Sequence, residues 1–258
     1  MEYIPYFIVL ANLSLFGNPI SESNRIQTLE ACTTLEINIQ QEMDELKDTQ
    51  NPEPNTSIDY LLVLSASNSY LKKLTFKNCT DLEDDYNRMQ LAFQIARRIA
   101  ALKANITVDE LNTELLIRYG PKIVYNGSEE QNEDLKNALE TSIGDYPKEN
   151  FIILDLPRNE INTKGQFLSF KKDLFLENAS IGIITHAYHF PRVSRMLGKG
   201  APLYPFGTNV VKYAFLVDRQ FVSPGVTDRV KDEIRKIPVY IDKGDLAKHP
   251  ASDIIYLP

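Results

Sequence analysis

Apolar residues recur in steps of three and four from Ile26 through Leu29, Cys32, Leu35, Ile39, Met43 and Leu46, which predicts a long amphipathic helix. Lys47 to Ser57 is polar and carries Pro52 and Pro54, so it reads as a loop. Ile58 to Ser65 is then a nearly unbroken apolar run of strand length, the pattern of a strand covered on both faces. The alternation repeats down the chain. A helical stripe at Leu82, Tyr86, Met89, Phe93, Ala96 and Ala100 leads to a strand over Pro121 to Asn126, and a helix around Leu135, Ala138 and Leu139 leads to a strand over Phe151 to Leu156. Phe167, Phe170 and Leu174 mark another helix before the strand Ser180 to Thr185. A helix through Val193, Met196 and Leu197 follows, with Gly198 placed to stop it. Val226, Val230, Ile234 and Ile237 predict one closing helix ahead of a mixed tail. Strand and helix in strict succession argue for an α/β fold, with a mostly parallel sheet layered by helices on both faces. The expected organisation is an N-terminal helical extension over residues 1–53 and an α/β domain over residues 54–258.

Composition narrows the class. With 43% apolar and 24% charged residues the chain is globular rather than low-complexity or fibrous. Its 28 Lys and Arg against 35 Asp and Glu leave a formal charge of −7, which repels nucleic acid and anionic membranes, although a local basic cluster can still hold a small anionic molecule, the expected partner. Two cysteines, Cys32 and Cys79, are too few for a disulfide framework and point to a cytoplasmic setting. Ile4 to Phe16 has the length of a signal-peptide core, which would make the protein exported. It lacks a basic lead, and Asn12 and Ser14 interrupt it, so it reads as a packed first element. No stretch predicts stable membrane insertion.

Ligands of an open parallel sheet sit beyond the carboxyl ends of its strands. Those ends hold Ser65, Ala66, Ser67 and Asn68; Asn126, Gly127 and Ser128; Asp155; and Thr185 with His186. Small hydrogen-bonding residues suit a pocket floor for an anionic or sugar-like ligand, and turns use the same residues. Richest is Thr185 to Arg195, which places a threonine, two imidazoles and two guanidiniums where a strand passes into a helix. Pro191 suits a first helical turn, starting the helix near His189 and putting His189 and Arg192 on one face at its mouth. That pair can seat a phosphate or carboxylate, or Arg192 can serve a structural carboxylate while His189 caps the turn. A metal on His186 and His189 is disfavoured, because no HExxH or carboxylate-rich motif adjoins them and His249 is remote. The GxSxG, GxxxxGK[ST] and GxGxxG patterns are all missing, which argues against a serine hydrolase, a P-loop NTPase or an ordinary dinucleotide dehydrogenase.

From about Ile58 to Gly207 the motif order resembles the ElyC/SanA/YdcF family, the DUF218-type domain. The resemblance is carried by the first apolar strand, Arg88 with Ala92, Asn126-Gly127-Ser128, Asn162-Thr163 before a helix, and Thr185 followed by Tyr188-His189-x-Pro191-Arg192. It departs where relatives have glycine-rich turns, since this chain has Ser65-Ala66-Ser67 and Asn126-Gly127-Ser128. Gly165-Gln166 also replaces the usual Glu-Asn. The resemblance implies a Rossmann-like three-layer sandwich, a pocket at the strand ends built from the matched residues, and a link to bacterial envelope metabolism.

Three functions remain open. The first is an enzyme, or a relic of one, acting on a small phosphorylated or nucleotide-like ligand. Arg88 and Arg192 would hold the anion, Asn162 and Thr163 would orient it, His189 would exchange a proton, and Glu133 would orient that imidazole or act as base. Each has a structural alternative: Arg88 as a solvated charge, Asn162-Thr163 as a helix cap, Glu133 as part of a wet acidic face. The second is a non-catalytic module binding an S-adenosylmethionine-like nucleotide in the same crevice. The third is a scaffold that docks a protein partner through the long N-terminal helix and the C-terminal segment.

Overall fold

Apolar runs of strand length build a single six-stranded, wholly parallel sheet. The structure is a computed structural model and describes residues 22–48, 50–65, 83–140, 146–156, 162–174, 177–207, 209–218 and 226–255. The strands are β1 (Tyr60–Leu64), β2 (Lys122–Asn126), β3 (Phe151–Ile153), β4 (Ser180–His186), β5 (Val211–Val217) and β6 (Ile254–Ile255), in the order β3-β2-β1-β4-β5-β6. Between and around them run α1 (Glu22–Glu45), α2 (Glu83–Ala104), α3 (Thr113–Tyr119), α4 (Glu129–Glu140), α5 (Thr163–Asp173), α6 (Phe190–Met196) and α7 (Val226–Asp242). This is a Rossmann-like three-layer sandwich. From β1 the chain steps outward to β2 and β3, then returns to β4 and steps the other way, so the order reverses between β1 and β4.

Strand alternation divides the core in two. On one face Leu62, Leu64, Val124, Ile181, Ile183, Ala214 and Leu216 pack under α1, α5, α6 and α7. On the other, Leu61, Val63, Ile123, Tyr125, Ile184 and Phe215 pack under α2, α3 and α4. Gly182 lets the layers close there, because a Cβ would stand 2.7 Å from Leu61 and 2.8 Å from Phe215. The predicted first helix packs on the sheet, with Ile39 and Met43 fully buried. Glu42 of α1 takes a two-pronged bond from Arg195 of α6, at 2.6 and 2.5 Å. The described part of the predicted stripe, Leu35, Ile39, Met43 and Leu46, packs into the core.

Three elements go beyond the sequence expectation: α3, β5 and β6. Lys212 interrupts the apolar run of β5; it is buried and paired with Asp253 at 2.7 Å, which ties β5 to the segment carrying β6. The expected strand Phe151 to Leu156 is shorter, ending at Ile153, although Leu154 N still donates to the Tyr125 carbonyl at 2.9 Å. Ile4 to Phe16, Ala66 to Asn68, Cys79 and Leu82 lie outside the described residues. Among the described residues no helix is long and apolar enough to cross a membrane.

Candidate functional site

Consecutive residues at the end of β4 serve opposite layers. Thr185 continues the face of Ile181 and Ile183 toward α5 and α6, whereas His186 continues the face of Ile184 toward α2. Each becomes the root of a buried polar network at the sheet's carboxyl edge.

On the Thr185 side, a one-turn helix over Ala187–His189 precedes α6 and turns His189 back toward the strand. Pro191 then occupies the first turn of α6, where its missing N–H costs no bond. The His189 ring lies 2.8 Å from Thr185 Oγ1 through Nδ1 and 3.2 Å from Thr163 Oγ1 through Nε2. Thr163 Oγ1 also accepts from Arg192 Nη1 at 3.2 Å. The rest of the Arg192 guanidinium grips Glu233 of α7, Nε to Oε2 at 2.5 Å and Nη2 to Oε1 at 3.0 Å. Burial, aided by the positive fields of Arg192 and Arg88, pushes the His189 imidazole well below its ordinary value. It is therefore neutral at pH 7, with one ring nitrogen donating and the other accepting, and a threonine hydroxyl can meet either. Burial opposes the charge of Arg192, but Glu233 outweighs it and raises its pKa.

On the His186 side, Arg88 of α2 is only 2% exposed. Its Nε donates to His186 Nδ1 at 2.9 Å and its Nη1 to the Leu64 carbonyl at 2.5 Å. Since a guanidinium only donates, Nδ1 is the acceptor and the ring proton sits on Nε2. Burial first, then Arg88, lowers the His186 pKa well below the ordinary value. Asp85 stands 3.9 Å from Arg88 and accepts from Tyr125 Oη and Gln131 Nε2, both at 2.9 Å. Tyr188 stacks near His186, ring centres 5.3 Å apart, and Arg229 of α7 donates to its hydroxyl at 3.0 Å.

A third cluster joins Ser65, Asn126 and Gln166. Asn126 Nδ2 donates to the Gln166 carbonyl at 3.0 Å, and Gln166 Nε2 donates to Ser65 Oγ.

The structure thus gathers Thr163, Thr185, His189 and Arg192 on one side of β4 and Arg88 with His186 on the other, while Ser65 and Asn126 adjoin over β1 and β2. Several sequence candidates stand elsewhere or do other work. Asn162 is exposed and caps α5, accepting from Gly165 N at 2.9 Å. Ser128 opens α4 in a capping box with Gln131: Ser128 N donates to Gln131 Oε1 at 2.8 Å and Gln131 N donates to Ser128 Oγ at 3.3 Å. Gly127 N donates to Asn132 Oδ1 at 2.9 Å. Glu133 is exposed on α4, and both ring nitrogens of His189 go to threonines rather than to it. Ser67 lies outside the described residues. Arg88 is a buried charge, not a solvated one, because β1 and β4 supply its acceptors; Arg192 does meet a structural carboxylate, Glu233. Sequence reasoning missed Asp85, Tyr125, Gln131, Gln166, Arg229 and Glu233. Of these, Gln131 carried a readable signal, its place three residues after Ser128.

Fold and edge together define a Rossmann-like α/β protein with a buried polar cluster at its topological switch point. Comparison with family models, with curated proteins and with solved structures finds no match for this chain.

Proposed function

We propose that the chain is an ElyC/SanA/YdcF-like protein that binds a small phosphorylated or nucleotide-like molecule at the carboxyl edge, where β1 and β4 part. One observation carries this reading: Arg88 is buried, yet its hydrogen bonds go to a neutral imidazole and a backbone carbonyl, with its carboxylate no closer than 3.9 Å. A buried guanidinium whose charge is met only loosely is stabilised by an anion that brings its own. Arg192 approaches from the opposite layer, and the fields of both arginines reach His189. Support for the family resemblance comes from contact between its two most specific blocks, since Thr163 touches both His189 and Arg192. In this reading the arginines hold the anion and Thr163 and Thr185 orient it. Neutral His189 accepts a proton once the ligand displaces a threonine from its ring.

A second reading, binding of an S-adenosylmethionine-like nucleotide without chemistry, is favoured by the same ring, since both its nitrogens are already engaged. Thermal-shift titration with inorganic phosphate, pyrophosphate, adenosine monophosphate and S-adenosylmethionine, followed by a product assay, separates the two. A ligand at a hundred times its Kd adds about 2.7 kcal/mol. Phosphorylated compounds are expected to stabilise the wild type and not Arg88→Gln. Stabilisation without product selects the binding module, and no stabilisation by any of the four refutes the site.

A further inference from the structure

The Ser65, Asn126 and Gln166 cluster lies over the carboxyl ends of β1 and β2, beside the imidazoles and guanidiniums. Ser65 follows β1, Asn126 ends β2 in register with Leu64, and Gln166 projects from the start of α5. The three are locked together. Asn126 Nδ2 donates to the Gln166 carbonyl, while Gln166 Nε2 donates both to Ser65 Oγ and to the Ser65 carbonyl at 3.2 Å. These bonds fix the sense of each amide, because turning either over would set its oxygen against a carbonyl oxygen. Two acceptors are left: Asn126 Oδ1 and Gln166 Oε1 are buried and take no hydrogen bond among the described residues. Their side chains belong to residues only 0% and 3% exposed.

Unmet buried acceptors are costly, and two within one locked cluster mark a place for donors. The neighbourhood selects the kind. The Leu64 carbonyl, one residue before Ser65, holds the Arg88 guanidinium, so an ammonium group would meet like charge there. Hydroxyl groups bring donors without charge. We infer that Asn126 and Gln166 form a sugar subsite, in which the 2-hydroxyl of a pentose donates to Gln166 Oε1 and the neighbouring hydroxyl to Asn126 Oδ1 while the attached phosphate lies toward Arg88. This rests on the anion-binding reading and names the substrate class of that site as a pentose phosphate or a nucleotide carrying one.

Calorimetric titration of the full chain with inorganic phosphate, ribose 5-phosphate and 2-deoxyribose 5-phosphate tests it. Ribose 5-phosphate is expected to bind tighter than its 2-deoxy analogue by roughly tenfold or more, since the analogue leaves an acceptor unmet. In Gln166→Met, of similar length but without the amide, that ratio falls toward one. Equal affinities for the two sugars in the wild type, with phosphate binding intact, overturn the sugar subsite and leave the anion site standing. An undiminished ratio in a folded Gln166→Met also overturns it. Failure of all three compounds to bind overturns both readings. Should Gln166→Met not fold, the wild-type ratio decides alone.

Discussion

Two imidazoles held neutral inside the protein make its stability sensitive to mild acid. His186 and His189 are 1% and 5% exposed, and burial, reinforced by nearby guanidiniums, sets both well below the ordinary value of 6.5. The unfolded chain therefore binds more protons than the folded one as the pH drops, and stability falls with it. Each histidine's contribution is whole above 6.5 and is lost progressively below that, down to its folded value. At about pH 5 an unfolded imidazole is protonated roughly thirty times more often than not, so holding one neutral costs up to about 2 kcal/mol. Both together cost at most about 4 kcal/mol, against a typical total of about 5–15 kcal/mol for a folded domain. Urea denaturation of the wild type, His186→Asn and His189→Asn at about pH 7 and about pH 5 reads this out. Every other titrating group is common to all three proteins and cancels in the comparison. Each variant, whatever its stability at neutral pH, is expected to lose less than the wild type on acidification, by up to about 2 kcal/mol. An equal loss in all three refutes the claim that these rings are held uncharged.

Two further substitutions probe the packing of the same edge. Glu233→Ala strips Arg192 of its two-pronged partner; with Arg192 16% exposed and Glu233 5%, the expected loss is about 3 kcal/mol by chemical denaturation, and a loss below about 1 kcal/mol refutes a load on this pair. Gly127→Ala would place a Cβ 2.7 Å from Gln131 Cβ and 2.9 Å from Tyr125 Oη, so it should cost about 1–3 kcal/mol and disturb the tyrosine signal in near-ultraviolet dichroism. Wild-type stability and spectrum would mean that the turn into α4 yields freely.

The layered α/β architecture was legible because strands covered on both faces show as apolar runs and their helices as stripes; β1, α2 and α7 appear where the pattern puts them. Short or interrupted elements left no such trace. Lys212 breaks β5 and only its pairing with Asp253 makes it tolerable in the sheet, while β6 is two residues long and exists through its register with β5. At the site, Thr185, His189 and Arg192 stood out because they share one strand-to-helix junction. Glu233, which partners Arg192, comes from another element, as do Asp85 beside Arg88 and Gln166 beside Ser65, and no periodicity tells which distant side chain will face which. Ser128 suits a pocket floor and a turn alike, and the structure shows it in the second part, since Ser128 and Gln131 at that spacing spell a helix start.

The position of the polar residues along β4 bears on why they are there. Ile181, Ile183 and Ile184 fill the middle of the strand and contact both cores, as packing alone would favour. Two steps further, at the same burial, come Thr185 and His186, which need the His189 imidazole from the turn before α6 and the Arg88 guanidinium of α2 to be accommodated, with Thr163 of α5 meeting His189 in turn. Well-packed apolar residues in such places are commonly as stable or more so, because desolvating charged groups offsets most of what their pairing returns. Stability therefore gives no reason for such a cluster to form at this end of the strand. The carboxyl edge beside the β1/β4 reversal is where open parallel sheets meet their ligands, and the anion proposed above would supply the reason that packing does not.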